Sequence, residues 1–470
     1  MTYTEDAATA HAWAALGGRP QLVRRVSFEG AGAVLPSRLP VRELARATVA
    51  VASLAAAELL SLRNHVPVPA VRVDEGAVAT AFVSERHLRI DGRAPASFAP
   101  LSGFWQTADG WVRTHANYPH HRARLLGALG LADTGQDHTL VDTLAKELAS
   151  RPALDIQEAV YAAGGLAVAV APAPAGPTPA GPALAARRSA VSAGPGLIET
   201  RHAPHGDPRP LVPASLPAQG VRVLDLTRVI AGPVATRTLA LLGADVLRVD
   251  APQLAEDADA HADTGMGKRS TLLDLADPGD RRSFEDLLSQ ADVVVTGYRP
   301  GALDRHGLAP DALLSRRSDL IVVQLCAWGW SGSWAGRRGF DSLVQAGAGI
   351  AAIEAGADGR PGVLPAQALD HGTGYLLAAA VLRALSDRHA TGGGRHLRLS
   401  LADTASWLLD IRPASDPGGA DLHAPGARLT ETASPYGPLR HALPPVHYEG
   451  APANWNRGPT RWGTDLPNWV

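Results

Sequence analysis

The stretch GVRVLDLTRVIAGPVATRTLALLGADVLRVD, residues 220–250, decides the fold class of this chain. Residues 220–226 are a run of aliphatic and β-branched residues, which is typical of a buried strand. Residues 234–243 carry a helical pattern that ends at Gly243, a residue type that commonly terminates helices. Residues 244–250 predict a second strand. A strand, a helix and a second strand in this order form a βαβ unit, which joins two parallel strands.

The same alternation continues towards the C-terminus. Further strands are predicted at residues 270–275, 292–298, 320–328 and 396–401, and further helices at residues 277–291, 310–318 and 374–388. Strands that alternate with helices indicate a doubly wound, mostly parallel α/β sheet. Because ligands of such sheets bind at the carboxyl ends of the strands, the strand-end loops are the first place to look for a site.

Composition excludes several classes of protein. The formal net charge of −2 over 470 residues gives no general attraction to nucleic acid or to an anionic membrane. A single cysteine excludes a disulfide within the chain and a cysteine-based zinc cluster, and we expect no metal site. The N-terminus lacks a signal-peptide pattern, and the apolar stretches are too short or too interrupted to span a bilayer. We therefore expect a cytoplasmic protein.

Two regions and one internal similarity suggest how the chain is divided. Residues 176–217 are rich in proline, alanine and glycine and predict a linker, and residues 413–470 predict an irregular C-terminal tail. Residues 41–60 align without a gap with residues 223–242, and an RVD strand follows each of them. We interpret this match as a duplication, which makes residues 1–100 a degenerate copy of a larger domain. A chance match between two alanine-rich helices is the alternative.

Two strand-end turns are candidate anion sites. The turn AGP, residues 231–233, starts a helix, where free backbone amides suit a negatively charged group. The loop at residues 298–307 carries arginines that suit a phosphate. A plain turn and a solvated loop fit these sequences equally well. No G-x-G-x-x-G or G-x-x-x-x-G-K-[ST] motif occurs, which argues against a standard dinucleotide or nucleoside triphosphate site.

Two further segments carry reactive residue types. The segment HANYPHHR, residues 115–122, contains three histidines, but their spacing favours a solvated loop over a metal cluster. Asp370 precedes a long apolar helix, so the simplest interpretation is a helix N-cap. The alternative is a carboxylate nucleophile, with free amides near Gly372 and Gly374 stabilising an oxyanion on a thioester. The residues alone favour the cap. Cys326 lies in an apolar strand and is expected to be a buried, small apolar residue.

Several segments, taken in order, resemble family III CoA-transferases, which include formyl-CoA and carnitine CoA-transferases and α-methylacyl-CoA racemases. The segments are GVRVLDLTRVIAGPVATRTLALLGADVLRVD, GKRSTLLDL, ADVVVTGYRPGALDRHGL, GFDSLVQAGAG and LDHGTGYLLAAAVLRAL with TGGGRHLRLSLADTA. The resemblance covers about residues 220–409. Residues 105–130 and 155–174 resemble two parts of the small domain of that family.

The resemblance implies a fold and a division into domains. It implies an α/β protein with a doubly wound, mostly parallel, Rossmann-like large domain at residues 218–412. A smaller α+β domain is implied at residues 101–175. The family forms homodimers, so the resemblance implies a homodimer, and a partly duplicated chain leaves a pseudo-dimer as the alternative.

The resemblance also implies an activity and a set of site residues. In the family, an aspartate that matches Asp370 attacks an acyl-CoA thioester, forms covalent aspartyl intermediates and passes coenzyme A to a carboxylic acid. The matching residues of the CoA site are Val229, Leu273, Tyr298 and Arg305, with Arg305 at the phosphates. Acyl-CoA and a carboxylic acid are then substrates, and no permanently bound cofactor, nucleic-acid partner or membrane partner is expected.

Some positions depart from the family pattern. The racemases carry a histidine in a GHD motif where this chain has Phe340, which favours transfer over racemisation. Ile230 and Ala251 stand where relatives carry glutamine and arginine. The order of domains is also reversed, because the small-domain sequence precedes the large domain. An acyl-CoA racemase or epimerase and a non-catalytic CoA-binding protein remain the alternative functions.

Overall fold

The N-terminal part of this computed structural model surrounds a small parallel sheet with helices. It contains α1 (Ala7–Ala15), β1 (Val26–Glu29), α2 (Val41–Asn64), β2 (Val71–Asp74), α3 (Glu75–Ala81), α4 (Ser84–His87) and β3 (Arg89–Ile90). Strands β1 and β2 pair in parallel, from Val26 beside Val71 to Glu29 beside Asp74. Over the whole chain, the structure describes residues 6–95, 98–173, 196–203, 209–412 and 423–470.

A smaller domain of mixed helices and strands follows. Its elements are β4 (Phe104–Gln106), β5 (Trp111–Thr114), α5 (Pro119–Ala128), α6 (Asp137–Ala149), α7 (Ala153–Ala162) and β6 (Ala167–Ala169). The strands form an antiparallel sheet in the order β4–β5–β6. Val112, Leu125, Leu144, Ile156 and Val160 form its core, and each is fully buried. The predicted class of this domain, α+β, is confirmed.

A seven-stranded sheet forms the body of the molecule. Its strands are β7 (Glu199–His202), β8 (Arg222–Leu226), β9 (Asp245–Asp250), β10 (Arg269–Leu272), β11 (Val293–Thr296), β12 (Ile321–Cys326) and β13 (Arg395–Ser400). Their order is β10–β9–β8–β11–β12–β13–β7. Only β7 runs antiparallel to its neighbour, β13. The predicted doubly wound, mostly parallel α/β sheet is confirmed.

Helices cover both faces of this sheet. They are α8 (Ala231–Leu241), α9 (Ala258–Thr264), α10 (Pro278–Gln290), α11 (Pro310–Arg316), α12 (Asp341–Gly347), α13 (Ile350–Ile353), α14 (Ala368–Thr391) and α15 (Leu401–Asp410). The central strand β11, VVVT, is buried along its whole length, as expected of a parallel strand covered on both faces. Asp277 starts α10, because its carboxylate accepts hydrogen bonds from the amides of Gly279 and Asp280.

Helix α14 is the centre of the core. It packs against α8 on one side and against α2 of the N-terminal part on the other. A Cβ atom at Gly374 would lie 2.6 Å from the carbonyl oxygen of Ala231, so the close approach of α14 to α8 requires glycine there. The start of α14 is therefore held in a fixed place against the start of α8.

The alignment of residues 41–60 with residues 223–242, on which the predicted duplication is based, is wrong because the two segments form different elements. Residues 223–226 are strand β8 and lead through a turn into α8, whereas residues 41–60 lie inside the single helix α2. The Gly-Pro pair at 232–233 starts a new helix, but the chain has Ala-Val at 50–51. Because these residues continue a helix, the alanine-rich segment is helical throughout.

Parts of the predicted linker and tail are regular structure. Residues 199–202 of the predicted linker form β7, the edge strand of the large sheet. In the tail, β14 (Leu429–Thr432) and β15 (Leu439–Ala442) form a three-stranded antiparallel sheet with β3. The prediction of an irregular tail is therefore wrong at these two strands. The rest of the linker and tail predictions includes residues 174–195, 204–208 and 413–422, which lie outside the described residues.

Helix α2 is apolar enough to resemble a membrane span. It is the one helix of the described residues that passes this test by length and composition, and 83% of its most apolar window is buried inside the protein. Its apolar face therefore belongs to the protein core. One of the charged residues buried in α2 pairs with α14: Glu58 Oε2 lies 2.6 Å from Arg383 Nη1, and the exposed fraction of the Glu58 side chain is 3%.

This buried ion pair is expected to fix α2 against α14. We predict that Glu58→Gln lowers the free energy of unfolding by about 2 kcal/mol, because Arg383 then loses its buried carboxylate partner and keeps only the partly exposed Asp387. Urea denaturation followed by circular dichroism measures this change. The matched control is Glu29→Gln, which removes an exposed ion pair with Arg72 and is expected to cost less than about 1 kcal/mol. Equal losses in the two variants would contradict the prediction.

Candidate active site

A cavity of about 830 Å³ opens at the carboxyl edge of the large sheet. Leu226, Asp250 and Cys326, which end three of the strands, line its floor, and Leu401 directly follows a fourth. The five residues that the sequence singled out, Val229, Leu273, Tyr298, Arg305 and Asp370, all line this cavity. They meet because the loops after parallel strands converge at one edge of the sheet.

Asp370 lies in the first turn of α14 and is not its N-cap, so the prediction of a cap is wrong. The N-cap position belongs to Gln367, whose side chain makes no capping hydrogen bond. The amides of Leu369 and Asp370 instead donate to Oδ2 of Asp341, at 2.9 and 3.0 Å. Asp341 therefore satisfies the start of α14 and leaves the Asp370 carboxylate free to face the cavity.

The state of the Asp370 carboxyl group follows from its surroundings. The residue is 6% exposed. Burial, together with the charges of Asp341 and Glu85, holds the pKa of Asp370 well above its usual value. Burial also raises the pKa of Asp341 to about 6, although Asp341 accepts hydrogen bonds from two amides and from the Gln345 side chain. Two neighbouring buried carboxyl groups with raised pKa values are typical of functional sites.

The glycines beside Asp370 do not provide the expected amide donors. Gly372 and Gly374 lie beyond the first turn of α14, where backbone amides donate within the helix. The amide of His371 already donates to the carbonyl oxygen of Gln367. The predicted role of Gly372 and Gly374 in stabilising an oxyanion is therefore wrong, and Gly374 serves helix packing instead.

The turn between β8 and α8 is strained at the cavity. Val229 has a φ of 72°, a left-handed conformation that a β-branched residue rarely adopts. Such strain persists only where the surroundings hold it, and it clusters at functional sites. A Cβ atom at Gly232 would lie 2.3 Å from the Cβ of Thr227, so this turn also requires glycine at 232.

A buried ion pair anchors the strand before this turn. Lys268 Nζ lies 3.0 Å from Oδ2 of Asp225, and both side chains are fully buried. Burial lowers the pKa of Lys268 to about 8, although the Asp225 carboxylate favours its charged form. Thr227 and Thr236 also donate to the Asp225 carboxylate. Lys268 lies in the segment GKRSTLLDL, which resembles the family, but the sequence predicts no role for it.

Basic side chains dominate the charged part of the wall. The arginines that line the cavity are Arg124, Arg228, Arg299, Arg305, Arg337 and Arg338, against three carboxylates, Asp250, Asp274 and Asp370. Asp250 is paired with Arg248 at 2.6 Å, and Arg228 lies 3.4 Å from Glu256. Arg305 is exposed, and its Nε donates to His306. The excess of positive charge suits an anionic ligand.

The histidine segment at residues 115–122 is part of the site, so the prediction of a solvated loop is wrong. The His115 ring stacks in parallel on Phe340, 3.8 Å between centroids, and His121 packs edge-on against the same ring. Both histidines are 4% exposed. Burial lowers the pKa of each to about 3, so both rings are neutral at pH 7. Tyr118, His120 and His121 line the cavity from the small domain.

Some residues of the site could not be recognised from the sequence around them. Asp341 belongs to the GFD segment, but its hydrogen bonds reach across 29 positions of the chain. Glu85 of α4 lies 3.7 Å from the His371 ring, and no sequence motif marks it. In the described part of the chain, no group of three or more potential ligands is arranged to hold a metal ion. Cys326 is buried as expected, and burial raises its pKa to about 12.

Comparison with known proteins places these features in a family. Residues 218–442 match the model of CoA-transferase family III. The chain is 35% identical over 213 residues to a probable fatty acyl-CoA transferase of Mycobacterium tuberculosis, covering 42% of this chain and 54% of that protein. It is 32% identical to a succinate–glutarate CoA-transferase of Agrobacterium fabrum, covering 41% of this chain and 53% of that protein.

A further relative and a solved structure match over similar shares. The identity to a formyl-CoA:oxalate CoA-transferase of Rhodopseudomonas palustris is 33%, covering 39% of this chain and 46% of that protein. A crystal structure from M. tuberculosis, 35% identical, covers 43% of this chain and 57% of that chain with a TM-score of 0.40. The chain spans about half the length of these curated relatives. Residues 218–442 of this chain are therefore similar to CoA-transferase family III.

Proposed function

We propose that this protein transfers coenzyme A from an acyl-CoA thioester to a carboxylic acid, with Asp370 as the covalent nucleophile. The observation that carries the proposal is a buried carboxyl group, held by the Asp341 cap, at the wall of a cavity lined by six arginines. A carboxyl group in the wall of a cavity that also carries six arginines matches a substrate that joins a reactive thioester to phosphate groups. The family of residues 218–442 supports the same reaction class.

The reaction balances as four acyl transfers. An Asp370 oxygen attacks the thioester carbon and expels CoA thiolate, which gives a mixed anhydride. The thiolate then attacks the Asp370 carbonyl, releases the donor acid as a carboxylate and leaves an aspartyl-CoA thioester. The acceptor carboxylate attacks that thioester carbonyl and again frees the thiolate. The thiolate finally attacks the acyl carbon of the acceptor, which yields the new acyl-CoA and restores Asp370.

Asp341 and Glu85 set the conditions for this nucleophile. Asp341 fixes the turn that carries Asp370, so the nucleophile attacks from a constant position. Burial and the charges of Asp341 and Glu85 raise the pKa of Asp370. Once ionised, a poorly solvated carboxylate of raised basicity is a stronger nucleophile than one in water. Burial also limits the access of water, which would hydrolyse an anhydride.

The residues at the strand ends are proposed to hold coenzyme A. Val229 in the turn after β8 and Leu273 directly after β10 give apolar surface, and Tyr298 follows β11 at the same edge. Burial raises the pKa of Tyr298 to about 12, so its hydroxyl remains a hydrogen-bond donor at pH 7. Arg305 is exposed at the cavity and makes no ion pair with a carboxylate among the described residues, which suits the phosphates.

The acceptor is proposed to be a carboxylic acid with a second polar group. Arg338 lines the cavity and has no carboxylate partner among the described residues. Its charge and that of Arg124 are felt by His121, whose Nδ1 is buried without a hydrogen-bond partner there. These groups offer donors to a carboxylate or hydroxyl. Two relatives are named for dicarboxylates, as a succinate–glutarate and a formyl-CoA:oxalate CoA-transferase.

The cavity favours transfer over racemisation. A racemase requires two groups that exchange a proton at the α-carbon. Phe340 faces the cavity and has no titratable group. The nearby His115 is stacked on the Phe340 ring, and burial lowers its pKa to about 3. A histidine of such low basicity is a poor base at neutral pH, which argues against proton exchange between His115 and Asp370.

We predict that hydroxylamine traps the aspartyl intermediates at Asp370. Incubation with acyl-CoA and hydroxylamine is expected to give an aspartyl hydroxamate in the peptide that contains residue 370, detected by mass spectrometry. Asp370→Asn should lower the rate of transfer at least about a thousandfold. The control is Asp142→Asn, an exposed carboxylate of α6, with unchanged turnover. Full transfer by Asp370→Asn would refute the proposed nucleophile.

Asp370→Asn is also predicted to stabilise the folded protein in a pH-dependent way. When the pKa of a carboxyl group is higher in the folded than in the unfolded state, the folded protein loses stability as the pH rises from the unfolded-state pKa to the folded-state pKa. The variant lacks this loss, so its gain in melting temperature should be larger at pH 8 than at pH 4. We expect a gain of about 1 °C or more at pH 8, by differential scanning fluorimetry. An equal shift at both pH values would contradict the raised pKa.

Arg305→Ala is predicted to weaken coenzyme A binding selectively. Loss of one charge-assisted phosphate contact should raise the KM for acyl-CoA about tenfold and leave the KM for the acceptor acid unchanged. Steady-state kinetics with each substrate varied in turn measures both values. Arg282→Ala removes an exposed arginine of α10 and serves as the control. An unchanged KM for acyl-CoA in Arg305→Ala would exclude Arg305 from the phosphate site.

A further inference from the structure

We infer that residues 26–81 are a second, altered copy of the unit at residues 321–410, and that this copy stands in place of a partner subunit. One chain then builds one complete site and needs no second chain. The inference deepens the proposed function, since it states how the proposed site is assembled. It also replaces the homodimer that the family resemblance implies.

The two units share the order strand, long helix, strand, helix and the same sheet pairing, and the second unit has α12 and α13 inserted between its first strand and its long helix. In the first, β1 and β2 are parallel, α2 crosses between them, and α3 follows. In the second, β12 and β13 are parallel, α14 is the long crossover helix, and α15 follows. The ends of the paired strands also correspond, because Glu29 lies beside Asp74 and Cys326 beside Ser400.

The junction from strand to helix repeats in detail. In both units the strand runs directly into the next helix, without an intervening loop. In both, the last strand residue is the N-cap. Oδ1 of Asp74 accepts from the amides of Gly76 and Ala77, and Oγ of Ser400 accepts from the amide of Asp403. A shared capping position is a local feature that chance packing does not require.

The two long helices also correspond in sequence. Both α2 and α14 contain 24 residues. At a constant separation of 325 positions, the same residue type recurs without a gap at Pro40 and Pro365, Leu44 and Leu369, Thr48 and Thr373, Ala55 and Ala380, Leu60 and Leu385, Ser61 and Ser386, and Arg63 and Arg388. Arg63 and Arg388, near the ends of the helices, are each 1% exposed.

The contact between the helices has the geometry of a two-fold pair. In a two-fold interface, a residue at the axis meets its own counterpart. Glu58 and Arg383 occupy equivalent positions of α2 and α14, 325 positions apart, and they form the buried ion pair between the helices. The two copies therefore pack on each other as two identical subunits would, but with opposite charges at the axis.

The first copy has no site of its own. The position that corresponds to Asp370 is Ala45, which is fully buried. No strands equivalent to β8–β11 precede it in the described part of the chain. The small domain that follows this copy contributes Tyr118, His121 and Arg124 to the cavity of Asp370. The cavity that contains Asp370 is thus lined by the second copy, the strands before it and the small domain, while residues 26–81 cover α14 without lining the cavity.

The face of α14 that a partner would use is occupied within the chain. From Ala368 to Arg388, all but one of its residues are buried, and α2 covers one side. The described part of α14 therefore leaves no apolar stripe for the same helix of a second chain. We expect a monomer with a single coenzyme A site.

Light scattering after gel filtration tests the assembly without the need for turnover. The full chain is expected to have a mass of 48.9 kDa over about a hundredfold range of dilution. Glu58→Gln is expected to keep that mass, because its ion pair lies within one chain. A stable dimer overturns the inference, and so does a dimer that Glu58→Gln converts into monomers. The control is Glu29→Gln, whose ion pair is exposed and lies outside the α2–α14 contact.

Titration calorimetry with coenzyme A gives a second, separate result. One coenzyme A bound per chain supports the inference, whereas two per chain, or one per two chains, overturns it. An absence of binding would count against the proposed function, while the measured mass would still decide the inference about assembly. The two proposals can therefore fail independently.

Discussion

The structure around the site depends on one capping interaction. The Asp341 carboxylate accepts hydrogen bonds from the amides of Leu369 and Asp370 in the first turn of α14. A helix start buried in a core needs partners for these amides, and an outside carboxylate provides them. Because Asp341 takes that role, Asp370 is released from it and its own carboxyl group is left without local stabilisation. Burial raises the pKa of both carboxyl groups, and the charge of Asp341 raises that of Asp370 further, whereas the hydrogen bonds that Asp341 accepts lower its own pKa. Asp341 thus contributes both to the position of Asp370, the proposed nucleophile, and to its raised pKa.

Much of the fold and part of the site could be predicted from sequence, for identifiable reasons. The strands and helices of the large sheet follow local periodicity, and the loops after parallel strands must meet at one edge, so Val229, Tyr298 and Asp370 share a cavity. The capping role of Asp341 could not be predicted, because the amide of Asp370 that it accepts from lies 29 positions away. The local pattern instead indicates Asp370 itself as the cap. The buried state of His115 depends on stacking against Phe340 of another domain, which no local pattern records.

The site contains several groups that lower the stability of the folded protein. Val229 holds a left-handed backbone, Lys268 and Asp225 are buried charges, and Asp370 keeps a raised pKa. Each of these is unfavourable alone, and the surrounding packing has to hold all of them. The close contact of α14 with α8 at Gly374 and the cover that α2 provides supply this support. The long apolar core around α14 is therefore a condition for the chemistry at its N-terminal turn.

The altered copy that we infer at residues 26–81 accounts for the apolar character of α2, which covers α14. A chain that loses the nucleophile in one of two copies loses one site, but it still needs the helix that covers α14. A helix whose role is packing alone fits the buried alanine at position 45 and the small apolar residues along α2. The opposite charges of Glu58 and Arg383 favour this pairing over either helix paired with itself, because two identical helices would bring like charges together at the axis. The ion pair is thus a device that keeps the two copies of one chain together in preference to two chains.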